Sequence, residues 1–99
     1  MADEKNQKKK KKHIDLEAFI GKRVEVVSKI FADENGKPRE THFIGILAKK
    51  ELEYLRLTNA RVFITSPFDP NNPDEIKEVG RYPMIAIRKE IVGYLAEIG

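Results

Sequence analysis

The sequence contains no cysteine and only two histidines among its 99 residues. The absence of cysteine excludes a disulfide framework and a thiolate metal site. Two histidines far apart in sequence leave few nucleophilic or metal-binding arrangements. No apolar run approaches the roughly 20 residues needed to cross a membrane, and Gly80 and Gly93 belong to no phosphate-binding motif. We therefore expect a protein that is not an enzyme, holds no metal ion or cofactor and does not contact a membrane.

The length of the chain predicts one domain with a modest core. A chain this short buries only about two thirds of its unfolded surface, so association with further copies would stabilise it. The N-terminus is positively charged, but no apolar segment follows it, which argues against a secretory signal. The expected location is the cytoplasm.

The positive charge of the chain is concentrated at the N-terminus. Residues 1–13 carry a net charge of +4, whereas the remaining residues carry 13 basic and 14 acidic groups, a balance of −1. Because residues 1–13 are poor in apolar side chains, we predict that they form a disordered tail. The tail is either a phosphate-binding arm for nucleic acid or a solvated segment that maintains solubility. Its candidate RNA-binding residues are Lys8, Lys9, Lys10, Lys11 and Lys12.

Residues 14–99 are predicted to form the folded domain. Leu16, Phe19 and Ile20 have the spacing of a helical stripe, and Gly21 can end it, which predicts a short helix over residues 14–20. Residues 22–31 then alternate as a strand, with Val24, Val26 and Ile30 on one face. A turn containing Asn-Gly at residues 35 and 36 leads into a second strand over residues 40–48.

Three further strands are predicted over residues 54–63, 82–87 and 91–98. Gly45 lies inside the second strand, where a glycine often marks a strong bend or a close backbone approach. Residues 65–78 contain three prolines and are predicted to be a loop. Five strongly bent antiparallel strands of this length usually close into a small barrel. The expected fold is therefore mainly β, with a short N-terminal helix followed by a five-stranded, SH3-like small barrel.

Two short motifs then match a known family. The first contains a strand with Gly-x-Leu, an acidic turn and a strand of alternating leucines, here Phe43-Ile44-Gly45-Ile46-Leu47, Glu51, Tyr54-Leu55-Arg56-Leu57 and Ala60. The second places an arginine before an apolar strand, here Ile87-Arg88-Lys89-Glu90-Ile91-Val92. In their order and spacing these residues resemble the Sm and Sm-like (LSm) proteins, which include archaeal Sm-like proteins and the bacterial chaperone Hfq.

The resemblance implies a homo-oligomeric ring of six or seven subunits that binds single-stranded RNA at corners formed by the two motif loops. In such rings the fourth strand of one subunit pairs with the fifth strand of the next. Arg88 matches the motif arginine, and Lys89 stands at the motif glycine. Tyr54 stands where the family has an asparagine that reads uridine, with Leu52 or Glu53 at the stacking position. The candidate RNA-binding residues at the corner are Glu51, Tyr54, Arg88 and Lys89.

Apolar residues of the last two predicted strands exceed what one small barrel needs, and we expect them at the interface between subunits. They are Met84, Ile85, Ile91 and Val92. Two alternatives to RNA binding remain: an oligomeric scaffold that binds proteins through its edges or its proline-rich loop, and an SH3-like barrel that binds double-stranded DNA. The charge of −1 on the folded part counts against the second alternative.

Overall fold

A computed structural model describes residues 16–67 and 76–99. The predicted tail of residues 1–13, with its lysines, and the middle of the proline-rich loop lie outside the described residues. The described part of the chain is mainly β, which confirms the predicted fold class at this level.

Within the described residues, six antiparallel strands make up the sheet. They are β1 (Arg23–Ser28), β2 (Phe31–Ala32), β3 (Pro38–Lys50), β4 (Tyr54–Thr65), β5 (Lys77–Arg88) and β6 (Val92–Glu97). The strand order is β5-β4-β3-β1-β6, and β2 pairs with β3. The sheet is open: in the described part of the chain, β5 pairs with β4 and β6 pairs with β1, so β5 and β6 are its two edge strands. The first predicted strand is divided into β1 and β2, and the other four predicted strands correspond to β3–β6.

The prediction of a short N-terminal helix is wrong, because among the described residues the segment forms only a single 3-10 turn, Leu16–Phe19. The amides of Ile20 and Lys22 donate hydrogen bonds to carbonyls three residues earlier in the chain. Four residues are too few to offset the cost of nucleating an α-helix. Gly21, with φ 86°, ends the turn and donates its N–H to the carbonyl of Leu47 at 2.7 Å. Leu16 and Phe19 pack against the core as their spacing predicts, whereas Ile20 is exposed.

The core lies on one face of the sheet. Its buried members come from β1, β3, β4 and β5, and they are Val24, Val26, Leu47, Leu55, Leu57, Ala60 and Ile87. Val24 and Val26 therefore share one face, as predicted, and that face is the buried one, but Ile30 is exposed and does not belong to it. Ile30 follows the end of β1 at Ser28, so it no longer continues the alternation of that strand.

The turn after β2 follows the Asn-Gly prediction, and an aspartate organises it. Gly36 has φ 77° and donates its N–H to the carbonyl of Asp33. The Asp33 carboxylate accepts hydrogen bonds from the amides of Asn35 and Lys37 and from Arg39. These bonds, led by the one from Lys37, hold the pKa of Asp33 below its ordinary value. The loop is thus closed by side-chain hydrogen bonds as well as by glycine geometry.

A bulge in β4 makes the bend that Gly45 predicts. Ile46 pairs with Thr58 and Ile44 pairs with Arg61, so two residues of β4 lie opposite the single Gly45. One of the two, Asn59, has φ 50°. The inward positions of β4 change from Leu55 and Leu57 to Ala60 and Val62 across this bulge. Leu57 and Ala60 thus both face inward, although strict alternation along β4 would place them on opposite faces.

Replacing Gly45 with alanine is expected to destabilise the domain by about 1–3 kcal/mol. A Cβ at this position would lie 2.8 Å from the carbonyl oxygen of Thr58, and backbone atoms cannot move aside as a side chain can. Urea denaturation measures the change. Lys49→Ala, at an exposed position of the same strand, is the control and is expected to have little effect. Equal stability of Gly45→Ala and the parent protein would contradict this account of the bend.

Candidate nucleic-acid interface

The two motif loops meet at one corner of the sheet. β4 and β5 are paired so that Tyr54 lies opposite Arg88, which brings the loop before β4 next to the chain that follows β5. The amide of Lys89 donates a hydrogen bond to the carbonyl of Glu53 at 2.8 Å. A 3-10 turn, Lys89–Ile91, then leads into β6. The strand junction predicted at Arg88-Lys89 is therefore confirmed.

A cavity of about 260 Å³ lies between these loops, and we call it the corner cavity. Its lining residues are Leu52, Glu53, Arg88, Lys89 and Glu90. The side chain of Leu52 is 92% exposed, so it presents an apolar surface to any molecule that enters. Two basic and two acidic side chains line the cavity, so their formal charges cancel.

Arg88 is displayed on the surface and paired. Its side chain is 58% exposed, and its Nε lies 3.1 Å from Oε1 of Glu90. An exposed ion pair of this kind contributes about 0–1 kcal/mol. Because the pair is weak, a phosphate could replace the Glu90 carboxylate as the partner of Arg88 at small cost.

Glu51 and Tyr54 lie beside the corner cavity without lining it. The Glu51 carboxylate accepts a hydrogen bond from Arg56, and this bond lowers the pKa of Glu51 below its ordinary value. The amide of Glu51 donates to the carbonyl of Tyr54 at 2.8 Å, which closes the turn before β4. Glu51 thus shapes the loop, while Tyr54 is half-buried next to Arg88.

The four predicted interface residues divide into two pairs. Met84 and Ile91 are 52% and 41% exposed. Ile85 and Val92 are partly buried and pack against the core of their own chain. Of these four residues, Met84 and Ile91 therefore have exposed apolar surface that a neighbouring subunit could contact.

Two arginines of β4 and β5 form a second cluster, which the sequence alone did not indicate. We call it the arginine cluster, and it consists of Arg61 and Arg81 with their contacts Phe63 and Glu78. The register of β4 and β5 places Arg61 directly opposite Arg81. The Arg61 guanidinium donates to Glu78 at 2.7 Å and lies 5.0 Å from the centre of the Phe63 ring, while Arg81 donates to the other oxygen of Glu78. Only the pairing of β4 with β5, two strands separated by the long loop, brings these residues together.

His42 lies in a polar network that joins three strands. Its Nδ1 is 3.1 Å from Glu25, and its Nε2 is 3.0 Å from the hydroxyl of Thr65 and 3.3 Å from Glu40. Tyr94, which is about half exposed, pairs with β1 nearby, and partial burial, followed by the charges of Glu25 and Glu40, raises its pKa. None of these residues lines the corner cavity. This geometry gives His42 a structural role, since it links β1, β3 and β4.

Comparison with protein-family models found no match to this chain, and comparison with curated proteins found none either. The resemblance to Sm-like proteins therefore depends on the two motifs themselves. Within residues 16–67 and 76–99, no group of three or more histidine or acidic side chains is placed to hold a metal ion. No helical segment in the same ranges has the length and apolar character needed to cross a membrane.

The arginine cluster should make stability depend on pH in the acidic range. Hydrogen bonds from Arg81 and Arg61 lower the pKa of Glu78 from 4.5 to about 2. A carboxyl whose pKa is lowered in the folded state contributes stability that is complete above its unfolded pKa and is lost as the pH falls through its folded pKa. The difference in Tm between the parent protein and Glu78→Gln should therefore be greatest above pH 4.5 and shrink towards pH 2.

Glu34→Gln, which removes an exposed carboxylate from the turn after β2, is the control for this titration. A Tm difference for Glu78→Gln that stays constant between pH 6 and pH 3 would show that the Glu78 ion pairs do not act as described.

Proposed function

We propose that this protein is a non-catalytic, Sm-like protein that binds single-stranded RNA as a homo-oligomeric ring. The observation that carries the proposal is the strand order. It brings the two motif loops together at one corner and leaves β5 and β6 as the two edges of the same sheet. An RNA-contacting corner and a pair of complementary edges are the two features that a ring of this kind requires.

Ring assembly would pair β5 of one subunit with β6 of the next. Exposed strand edges present unpaired N–H and C=O groups, and proteins commonly cover them. Met84, Ile91 and Tyr94 are each more than 40% exposed on or beside these edges. Pairing of the edges would bury these side chains and complete the hydrogen bonding of both strands. A ring of six or seven subunits and a barrel-like curvature of each sheet belong to this proposal.

At each corner the RNA would be held by apolar contact and by charge. The exposed Leu52 can pack against a base, and Tyr54 can stack on one, a contact worth about 1–3 kcal/mol without reading the base edge. Arg88 and Lys89 would contact the phosphates, with the Arg88–Glu90 pair opening as phosphate enters. This arrangement favours RNA binding with little preference for uridine.

The double variant Arg88→Gln/Lys89→Gln tests the corner. It should weaken binding to a labelled single-stranded oligonucleotide and reduce the slope of log K against log salt by about 1.4, since each lost phosphate contact removes roughly 0.7. Fluorescence anisotropy at several salt concentrations measures both effects. Replacing Lys8 to Lys12 with glutamine separates the contribution of the tail from that of the corner.

Arg23→Gln/Lys29→Gln is the matched control, because it removes two positive charges from exposed positions of the same domain. An equal loss of affinity in the control and the corner variant would show that the loss comes from the change in net charge and not from contacts at the corner. Absence of binding at low salt by the parent protein would rule out the proposed function.

The ring is tested by the mass of the protein in solution. Light scattering of the parent protein should give the mass of a hexamer or heptamer. Met84→Glu/Ile91→Glu should give a smaller species, because charged side chains cannot be buried at the strand edges without a large cost. Leu52→Glu is the control, since it places a carboxylate at an exposed apolar position of the corner, away from the proposed strand pairing. A monomeric parent protein at micromolar concentration would contradict the ring.

A protein-binding scaffold with the same assembly is the second candidate. The balanced charge of the corner cavity favours it, because two acidic residues offset Arg88 and Lys89 there. The start of β5 also exposes Ile76 and Val79, each by about half. A ring that assembles as described but does not bind RNA at low salt would support this candidate over the first.

A further inference from the structure

A second cavity lies at the bend of the sheet, and we call it the bend cavity. Its volume is about 400 Å³, and its lining residues are Asn59, Ala60, Arg61, Arg81, Tyr82 and Pro83. It shares no lining residue with the corner cavity. One wall comes from β4 at the bulge opposite Gly45, where the strand changes its inward face, and the other wall comes from the regularly paired residues of β5.

Two arginines contribute to this cavity from facing strands. Arg61 and Arg81 lie directly opposite one another, and like charges in that position destabilise a sheet unless an opposite charge intervenes. Glu78 provides one negative charge to the two guanidinium groups. One positive charge therefore remains in excess within the arginine cluster.

Arg61 retains an unused donor. Its Nη2 is bonded to Glu78, but its buried Nε has no hydrogen-bond acceptor among the described residues. The Phe63 ring beneath the guanidinium limits the directions in which the group can turn. Arg81 is bonded through its own Nε, and its side chain is 70% exposed. Since 42% of the Arg61 side chain is also exposed, the Nη–H groups of both guanidiniums that Glu78 does not use, rather than the buried Nε of Arg61, are available to an anion with several oxygens.

The other lining residues suit the rest of a nucleotide. Asn59 is exposed and has the sparsely populated φ of 50° that the bulge imposes. Its amide group can both donate and accept hydrogen bonds. Tyr82 is 45% exposed, and Pro83 adds apolar surface without a backbone N–H. Aromatic and apolar side chains beside a cationic group are the usual means of holding an unpaired base and its phosphate.

We propose that the bend cavity binds a phosphate-bearing nucleotide of single-stranded RNA, as a second contact on each protomer with Arg61 and Arg81 on the phosphate. This inference rests on the proposed function, but it concerns different residues. The bend cavity would hold a nucleotide of a strand that extends beyond the corner. Binding there would add to the salt dependence that the corner produces.

A titration of the isotope-labelled parent protein, followed by NMR, tests the site directly. The probes are uridine monophosphate, inorganic phosphate and uridine. The first two should shift the Nε–H signals of Arg61 and Arg81 and the amide signal of Asn59, whereas uridine should shift them much less. Absence of these shifts with uridine monophosphate, or equal shifts with uridine, would overturn the proposal and leave the arginine cluster as a surface ion network only.

RNA binding by a double variant gives the second test. Arg61→Gln/Arg81→Gln should bind a long single-stranded oligonucleotide roughly three- to tenfold more weakly at low salt. It should also have a salt slope lower by up to about 1.4. Arg23→Gln/Lys29→Gln is again the charge-matched control, and a loss in the control equal to that in the variant would overturn the proposal.

The two proposals can fail separately. If Arg88→Gln/Lys89→Gln weakens RNA binding and Arg61→Gln/Arg81→Gln does not, the corner remains and the bend site is wrong. If uridine monophosphate shifts Arg61 and Arg81 while the parent protein does not bind single-stranded RNA, the phosphate site is real, but its assignment to RNA is wrong together with the proposed function.

Discussion

The close contact between Gly45 and the backbone of β4 is the constraint on which the pairing of β3 with β4 and the inward face of β4 depend. A side chain at position 45 would meet the Thr58 carbonyl, so only glycine lets the two strands approach this closely. The approach accommodates the extra residue of β4 and the positive φ of Asn59. Because β4 changes its inward face there, Leu57 and Ala60 both reach the core, and the bend cavity opens beside them.

Charge is distributed in pairs on both candidate surfaces. Arg88 is paired with Glu90, and Arg61 and Arg81 share Glu78. The Arg88–Glu90 pair holds the arginine side chain in position and costs little to open, because an exposed ion pair contributes little to stability. A phosphate can therefore replace the Glu90 carboxylate without an extensive rearrangement, whereas at the arginine cluster an anion would use the N–H groups that Glu78 leaves free. The near-neutral charge of the folded part is consistent with binding at a few defined points, to which the lysines of the N-terminal segment could add long-range attraction.

The motif residues differ in how closely they approach the corner. Arg88 and Lys89 line the cavity together with Leu52 and Glu53, the two residues at the stacking position of the resemblance. Glu51 is bonded to Arg56 and stabilises the loop rather than facing the cavity. Under the proposed Sm-like function, Tyr54 stands where the family has an asparagine, so the corner would lack the amide that reads a base edge. Under that proposal the corner therefore has different chemistry from the family's uridine pocket.

Local pattern determined much of this fold in advance. Alternation placed Val24 and Val26 on one face of a strand, and the positions of the strands along the chain followed from the turns between them. The Asn-Gly turn was recognisable because Gly36 tolerates a positive φ, and Gly45 marked the bend because an interior glycine allows close backbone approach. The four-residue N-terminal turn was mistaken for a helix because apolar spacing does not reveal how many hydrogen bonds a short segment can make.

The tertiary structure alone decided the remaining features. Strand register set Arg61 opposite Arg81 and brought Glu78 between them, and the bulge turned Ala60 inward against the simple alternation of β4. The position of β5 in the sheet also left Met84 exposed, while Ile85, the next residue, packs against the core. Periodicity describes neighbours along the chain, whereas these contacts join residues that are distant in sequence and are fixed by hydrogen bonds between strands.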